Sequence, residues 1–245
     1  MPVEKERLSS LPFLPNWVWK EHNERFRFVN TLCANKDVLD CACGTGVGTH
    51  FFSQSARAVV ALDISPEATK EASARCHDRD NIIFKQGSAT KLPLADESVD
   101  LYVSLETIEH LENDVPYLDE AVRVLRPGGI FICSTPNRTV TNPGKTLIDK
   151  PTNPFHVREY STREFKNILE KKFSNVTLFA QNPVGSIVTK PLNVLGTILP
   201  FHLTTRFHQS FKLLLSFLRK ENYYAVQEMQ PSKEYEYVIA LCKKD

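Results

Sequence analysis

The chain has no run of apolar residues near the roughly 18 that a membrane-spanning helix needs, so no such helix is expected. Met1 to Pro15 is charged and then proline-rich, without the basic start and apolar centre of a secretion signal. The expectation is therefore a cytoplasmic protein. Neither charge sign is in excess: 30 basic residues stand against 29 acidic ones, a formal net charge of +1. This argues against a nucleic-acid partner, which calls for a basic excess. None of the six cysteines (Cys33, Cys41, Cys43, Cys76, Cys133 and Cys242) belongs to a CxxC pair. Cys41 and Cys43 form a CxC, with no second pair or nearby histidines to complete a zinc site. Reduced, mostly buried thiols are expected. No His, Asp or Glu set has ligand spacing along the chain, so no metal is expected.

What is present fits one sizeable core over 1–245 rather than two ordinary domains. The hydrophobic set makes up 42% of 245 residues and charged residues 24%, an ordinary balance for a globular enzyme. Short apolar strands alternate with polar-faced helices. Strands are expected at Lys36–Cys41, Ala58–Asp63, Asn81–Gln86, Val99–Ser104, Ile130–Ser134, Val176–Ala180 and Tyr235–Cys242. Helices are expected at Asn16–Leu32, Val47–Ser55, Ser65–Arg79, Asp114–Leu125 and Thr162–Lys172. Ser65-Pro66-Glu67 is a cap followed by proline at the first helical position. Strands separated by helix-sized segments predict crossover units and a mostly parallel sheet. The fold class is thus α/β, Rossmann-like: seven strands, helices on both faces, and an antiparallel final strand.

The span 183–230 is one the sheet does not need. From Pro183 to Lys220 there is no acid, while Phe207, Phe211, Leu214, Leu215 and Leu218 recur at helical spacing. An inserted helical cap or lid before the last strand is expected. A basic amphipathic stretch over 190–220 also suits peripheral contact with an anionic membrane surface.

Val38 to Gly48 reads VLDCACGTGVG. Glycines after a strand let the backbone turn sharply and approach a ligand. The GxGxG spacing lacks the third glycine of the dinucleotide fingerprint. Asp40 lies just before the loop, where it would repel a phosphate but suits an ammonium group. Asp63 ends the second strand, where a carboxylate can accept both ribose hydroxyls. A nucleoside carrying an amino acid satisfies all three features. Further contacts are expected at the carboxyl ends of the next strands: Ser88 and Ala89 after the third, Leu105 after the fourth, with Ile64 and Leu92 as apolar walls.

The runs VLDCACGTGVG, ALDIS, LPLADESVDLYVSLETIEHL and RVLRPGGIFICSTPN resemble the class I S-adenosylmethionine-dependent methyltransferases, in the same order and spacing. The resemblance spans roughly 21–181 plus the last strand. It implies S-adenosyl-L-methionine as cofactor, with Asp40, Cys41, Gly44 and Gly46 around the methionyl part and Asp63 on the ribose. Ser88 stands where the family commonly has an aspartate near the adenine, so a hydroxyl or the Ala89 backbone takes that contact. The segments around Glu21–Phe26, Ser134–Arg138 and Asn153–Tyr160 resemble a bacterial subgroup that accompanies glycan assembly. That resemblance implies Arg25 at the cofactor carboxylate.

Methyl transfer from a sulfonium is an in-line displacement that the protein supports by positioning and electrostatics. A poorly acidic acceptor also needs a base. His156 is expected to be that base and His110 an orienting residue, both on loops at the carboxyl edge, with Glu106 and Glu109 as orienting or surface acids. Tyr160 either lines the acceptor pocket or packs. The leading expectation is O-methylation of a sugar, glycan or lipid-linked small-molecule acceptor. The competitors are a methyltransferase for a quinone-like acceptor, a cofactor-binding protein without turnover, and a nicotinamide-dependent dehydrogenase, which the GxGxG spacing and the lack of a Tyr-x-x-x-Lys pair disfavour.

Overall fold

The computed structural model describes residues 16–184, 224–230 and 232–245. They form one sheet of eight strands: β1 (Asp37–Cys41), β2 (Ala58–Asp63), β3 (Ile82–Gln86), β4 (Val99–Leu105), β5 (Leu125–Pro136), β6 (Asn175–Val184), β7 (Gln227–Glu228) and β8 (Glu234–Lys243). Their order across the sheet is β3-β2-β1-β4-β5-β8-β6-β7. The first five strands pair in parallel. The antiparallel last strand, β8, lies between β5 and β6. The seven expected strands are thus all present, and the two-residue β7 is added at the β6 edge. Because β1 to β5 point one way, their carboxyl ends lie along one edge. The chain leaves and re-enters the sheet at β1, between β2 and β4, and such a reversal opens a crevice for ligand.

The helices are α1 (Asn16–Asn30), α2 (Val47–Phe52), α3 (Pro66–Arg75), α4 (Asp114–Val124), α5 (Arg138–Thr141) and α6 (Thr162–Glu170). Period-two alternation in the strands sends side chains to two separate cores. Leu39, Tyr102, Phe131 and Ala240 meet Tyr117 and Leu118 of α4 and Phe165 and Leu169 of α6 on one face. Val38, Leu101, Val103, Ile132 and Ile239 meet Phe26 and Val29 of α1 and Phe52 of α2 on the other. Ser65 caps α3, its hydroxyl accepting from the Ala68 N–H at 3.3 Å, with Pro66 at the first helical position. This is the cap expected from Ser65-Pro66-Glu67.

Several boundaries differ from expectation, among them the end of α3 at Arg75 and of β6 at Val184, and the start of β5 departs furthest. Helix α4 stops at Val124, and β5 begins at Leu125, so Arg126-Pro127-Gly128-Gly129 lies within a strand and not in a helix end. Pairing with β4 slips between Val99 and Leu101 there, and a bulge absorbs the turn-forming residues. Of the span 183–230 expected as a cap, 185–223 lies outside the described residues, His202 and His208 with it; Pro183 and Val184 end β6 and Gln227–Glu228 form β7, so these parts of the span belong to the sheet. Among the described residues no helix is long and apolar enough to cross a membrane.

Candidate active site at the carboxyl edge of the sheet

The loop after β1 is tied to the end of β2 by Asp63. Its Oδ2 accepts the Gly44 N–H and its Oδ1 the Ser65 N–H, both at 2.9 Å. The carboxylate is buried and held in one orientation by these two N–H groups. The two glycines serve different ends. Gly44 has φ +54°, and a Cβ built there meets no atom within 4 Å, so its outer face is open. Gly46 has φ +78°, and a Cβ there would lie 2.8 Å from the Ala72 Cβ of α3. Gly46 therefore lets α3 approach the loop. Ala42 also takes a left-handed φ of 60°, a conformation glycine adopts without a Cβ penalty.

Asp40 is buried beneath this loop and accepts the Thr49 hydroxyl at 2.6 Å. Burial pushes its carboxyl up to about 7; the Thr49 bond opposes this rise and the Asp63 charge adds to it. A carboxylate so poorly solvated gains strongly from a cation placed beside it.

The other expected cofactor residues divide. Ile64 is 65% exposed at the end of β2, a bare apolar surface beside Asp63. Leu105 and Ala89 are half-buried, and Leu92 is buried in the core. The Ser88 hydroxyl is engaged locally, 2.8 Å from the Thr90 hydroxyl and accepting the Thr90 N–H. Cys41 points into the core, where burial pushes its thiol up to about 12, so its side chain packs. Arg25 is buried on the β6–β8 side of this edge. It donates to Gln181 Oε1 at 2.8 Å and sits 4.5 Å over the Tyr237 ring.

The loops after β4 and β5 meet across the same edge. Ile108 anchors the first loop in the core, and the Glu109 carbonyl accepts the N–H groups of Val157 and Arg158 at 2.8 and 3.2 Å. This stitch brings the rings of His110 and His156 to 4.9 Å, edge to face. His110 Nδ1 lies 3.1 Å from the Phe155 carbonyl. His156 Nδ1 lies 2.6 Å from Glu159 Oε1, and its Nε2 lies 2.9 Å from Asn153 Nδ2. Glu159 Oε2 in turn accepts from Thr141 and, at 2.7 Å, from Asn142. Burial pushes the Glu159 carboxyl up, but the His156 ring and the Thr141 and Asn142 donors outweigh it and hold it below the usual range.

Glu109 is fully buried, so the surface-acid reading fails for it; burial and then the Glu106 charge push its carboxyl well up. Glu106 accepts the Ser134 hydroxyl at 2.6 Å, from a left-handed φ of 51°. Tyr160 is core: 1% exposed, packed on Phe165, with its hydroxyl on Asp114 at 2.9 Å. One ligand atom from each of Glu109, His110 and His156 lies within 4.8 Å of the others. Ligand spacing along the chain pointed to no metal, because His156 comes from a distant loop that the fold folds back onto the first. Thr49, Asn142 and Asn153 were not legible as site residues, since polar residues near loops and helix starts carry no such signal alone.

The sheet order and the crevice beside β1 define a Rossmann-like fold of the methyltransferase kind. A solved S-adenosylmethionine-dependent methyltransferase from Thermotoga maritima, described as a possible histamine N-methyltransferase, shares it: TM-score 0.63, 18% identity, 94% of each chain covered. Residues 39–133 match the family model described as a methyltransferase domain. The chain is 38% identical over 172 residues, 69% of its length, to a probable S-adenosylmethionine-dependent methyltransferase of Mycolicibacterium smegmatis. It is 34% identical over 110 residues, 44% of its length, to a demethylmenaquinone methyltransferase of Tropheryma whipplei. The chain spans 64% and 46% of the length of these two relatives.

Proposed function

We propose that the chain transfers the methyl group of S-adenosylmethionine to a hydroxyl of a sugar, glycan or lipid-linked acceptor. The observation that carries the methyl-transfer reading is the constellation of buried Asp40, open-faced Gly44 and doubly anchored Asp63 around one crevice. These residues fit a nucleoside bearing an amino acid: Asp40 for the ammonium, the Gly44 backbone for the methionyl part, Asp63 for the ribose and the Ile64 surface for the adenine. The bound cofactor supplies an electrophilic methyl on a sulfonium; the remaining work falls to the chain's own residues.

That work is proton management and orientation. The Nδ1 proton of His156 is held by Glu159, which leaves the lone pair on Nε2. An acceptor hydroxyl that replaces the Asn153 amide at Nε2 would give its proton to that nitrogen. Glu159 stabilises the imidazolium formed, as an orienting carboxylate does in a catalytic triad. His110, edge-on to this ring and fixed by Phe155, restricts where the ring can turn. Arg25 remains a proposed contact for the cofactor carboxylate, although its present partners are Gln181 and the Tyr237 ring. Asn153, half-buried with its amide on His156 Nε2, is the polar group that a hydroxyl-bearing acceptor would displace. The similarity to the Tropheryma whipplei methyltransferase favours a second reading, a quinone-like acceptor.

Calorimetric titration with S-adenosylhomocysteine tests the first half of the proposal. Saturable one-site binding that Asp63→Ala abolishes supports it, and binding equal in parent and variant sinks the ribose assignment. A methyl-transfer screen with nucleotide sugars, lipid-linked glycans and quinols then decides the acceptor class; turnover of quinols alone overturns the glycan reading.

A further inference from the structure

The two site histidines share one polarity. His110 Nδ1 faces the Phe155 carbonyl, which only accepts, so the ring proton sits on Nδ1 and the lone pair on Nε2. His156 has the same tautomer, with Nδ1 on the Glu159 carboxylate. Asn153 agrees with this: its Oδ1 accepts the Phe155 N–H at 3.0 Å, so the atom 2.9 Å from His156 Nε2 is its donating Nδ2. Glu109 stands beside both rings. One of its oxygens accepts the Thr135 hydroxyl at 3.1 Å. The other, Oε1, is fully buried and has no hydrogen-bond partner among the described residues. A buried carboxylate oxygen left unpaired carries a desolvation penalty that native folds seldom tolerate without a reason.

We propose that Glu109, His110 and His156 form a binding site for a divalent first-row transition cation. Two imidazole nitrogens and one carboxylate oxygen suit Zn²⁺, Co²⁺, Fe²⁺ or Mn²⁺, and not Mg²⁺ or Ca²⁺, which favour all-oxygen sites. In each ring the nitrogen turned away from the ion donates to a carbonyl or a carboxylate, the outer-shell arrangement that fixes metal-binding histidines. One donor atom from each residue already lies within 4.8 Å of the others. Bonds of about 2.0–2.2 Å bring tetrahedral ligands to roughly 3.4 Å apart. The set therefore closes by up to about 1.4 Å, while His156 exchanges the Asn153 amide for the ion. Glu109 Oε1 gains the partner it lacks.

Three protein ligands leave a coordination position open. On the methyl-transfer reading, an acceptor hydroxyl bound there becomes more acidic and loses its proton to solvent, because the His156 lone pair is then engaged. One nitrogen thus serves either as a base or as a ligand. The binding site itself does not depend on that reading.

Titration of the purified full chain with Co²⁺, followed by visible absorption, tests the site. The expected result is one equivalent with d–d bands and no thiolate charge-transfer band. Glu109→Gln and His156→Asn should each weaken uptake 100-fold or more, and Asp63→Ala should leave it unchanged. Absent d–d bands, a thiolate band, or equal uptake by both ligand variants would overturn the proposal. S-adenosylhomocysteine titration of Glu109→Gln and His156→Asn checks that they fold, and a cooperative thermal unfolding transition checks Asp63→Ala. If the parent takes up cobalt at this site yet binds no S-adenosylhomocysteine, the methyl-transfer reading fails and the metal site stands.

Discussion

At the scale of single residues, Asp40 and the two loop glycines carry the clearest consequences. Burial pushes the Asp40 carboxyl from its ordinary 3.8 up to about 7 in the folded chain. A cofactor ammonium needs the ionised form. The affinity for S-adenosylhomocysteine should therefore climb by up to about tenfold per pH unit as pH rises towards 7, and then level. The stability contribution has the opposite sense. Because the folded value is raised, this group's stabilisation of the cofactor-free chain is complete below about 3.8 and is lost as pH rises through about 7. Thr49→Val removes a donor to the charged form and should move the affinity midpoint higher. Calorimetry across pH 5.5–8.5 checks both, and a flat profile would refute the role of Asp40. The glycines separate by readout. Gly46→Ala meets Ala72 as well as an unfavourable φ, and should cost about 2–4 kcal/mol in urea unfolding. Gly44→Ala meets no protein atom and should cost only about 1–2 kcal/mol, yet lose most of its cofactor affinity.

At the scale of elements, the legible features were those with a local cause. Ser65-Pro66 starts α3 because the hydroxyl and the missing N–H act within one turn. The acids at the ends of β1 and β2 were legible because strand periodicity places their neighbours in the core. The start of β5 was not, because Pro127-Gly128-Gly129 reads locally as a turn and only pairing with β4 turns it into a bulge. The proposed acceptor loop shows how an element positions side chains. The segment from His156 to Tyr160 passes directly into α6, whose capping box pairs the Ser161 hydroxyl with the Glu164 N–H and the Glu164 carboxylate with the Ser161 N–H. Upstream, Tyr160 bridges Asn137 just after β5, and its carbonyl accepts the Arg138 N–H at 2.9 Å. Ser161→Ala should therefore cost about 1 kcal/mol of stability and lower turnover by loosening the loop that carries Glu159, while cofactor affinity holds. Chemical denaturation and steady-state kinetics on one preparation measure the two effects.

At the scale of the whole molecule, the sheet edge joins two halves of the chain to which the proposal gives different duties. The proposed cofactor residues Asp40, Gly44 and Asp63 lie within 39–133, the part that matches the methyltransferase domain model. His156 and Glu159 come later, and reach the same edge only because β5, β8 and β6 fold against each other and the two loops are stitched through Glu109. Long-range pairing of this kind leaves no periodic trace: His156 was legible as a candidate base and Glu109 as an acid that could orient it, but the Asn153 contact at Nε2 and the Thr141 and Asn142 bonds to Glu159 were not. The division of duties predicts a division of thermodynamics. A ligand that binds only the folded chain stabilises it by about 2.7 kcal/mol at a hundred times its Kd. S-adenosylhomocysteine should thus raise the melting temperature of the parent and of His156→Asn by similar amounts, and should not raise that of Asp63→Ala. Turnover should fall about 100-fold or more in His156→Asn, in line with the loss of a general base. A variant at His156 that loses the thermal shift along with turnover would place that histidine in cofactor binding instead, and the later half of the chain would no longer be the acceptor half.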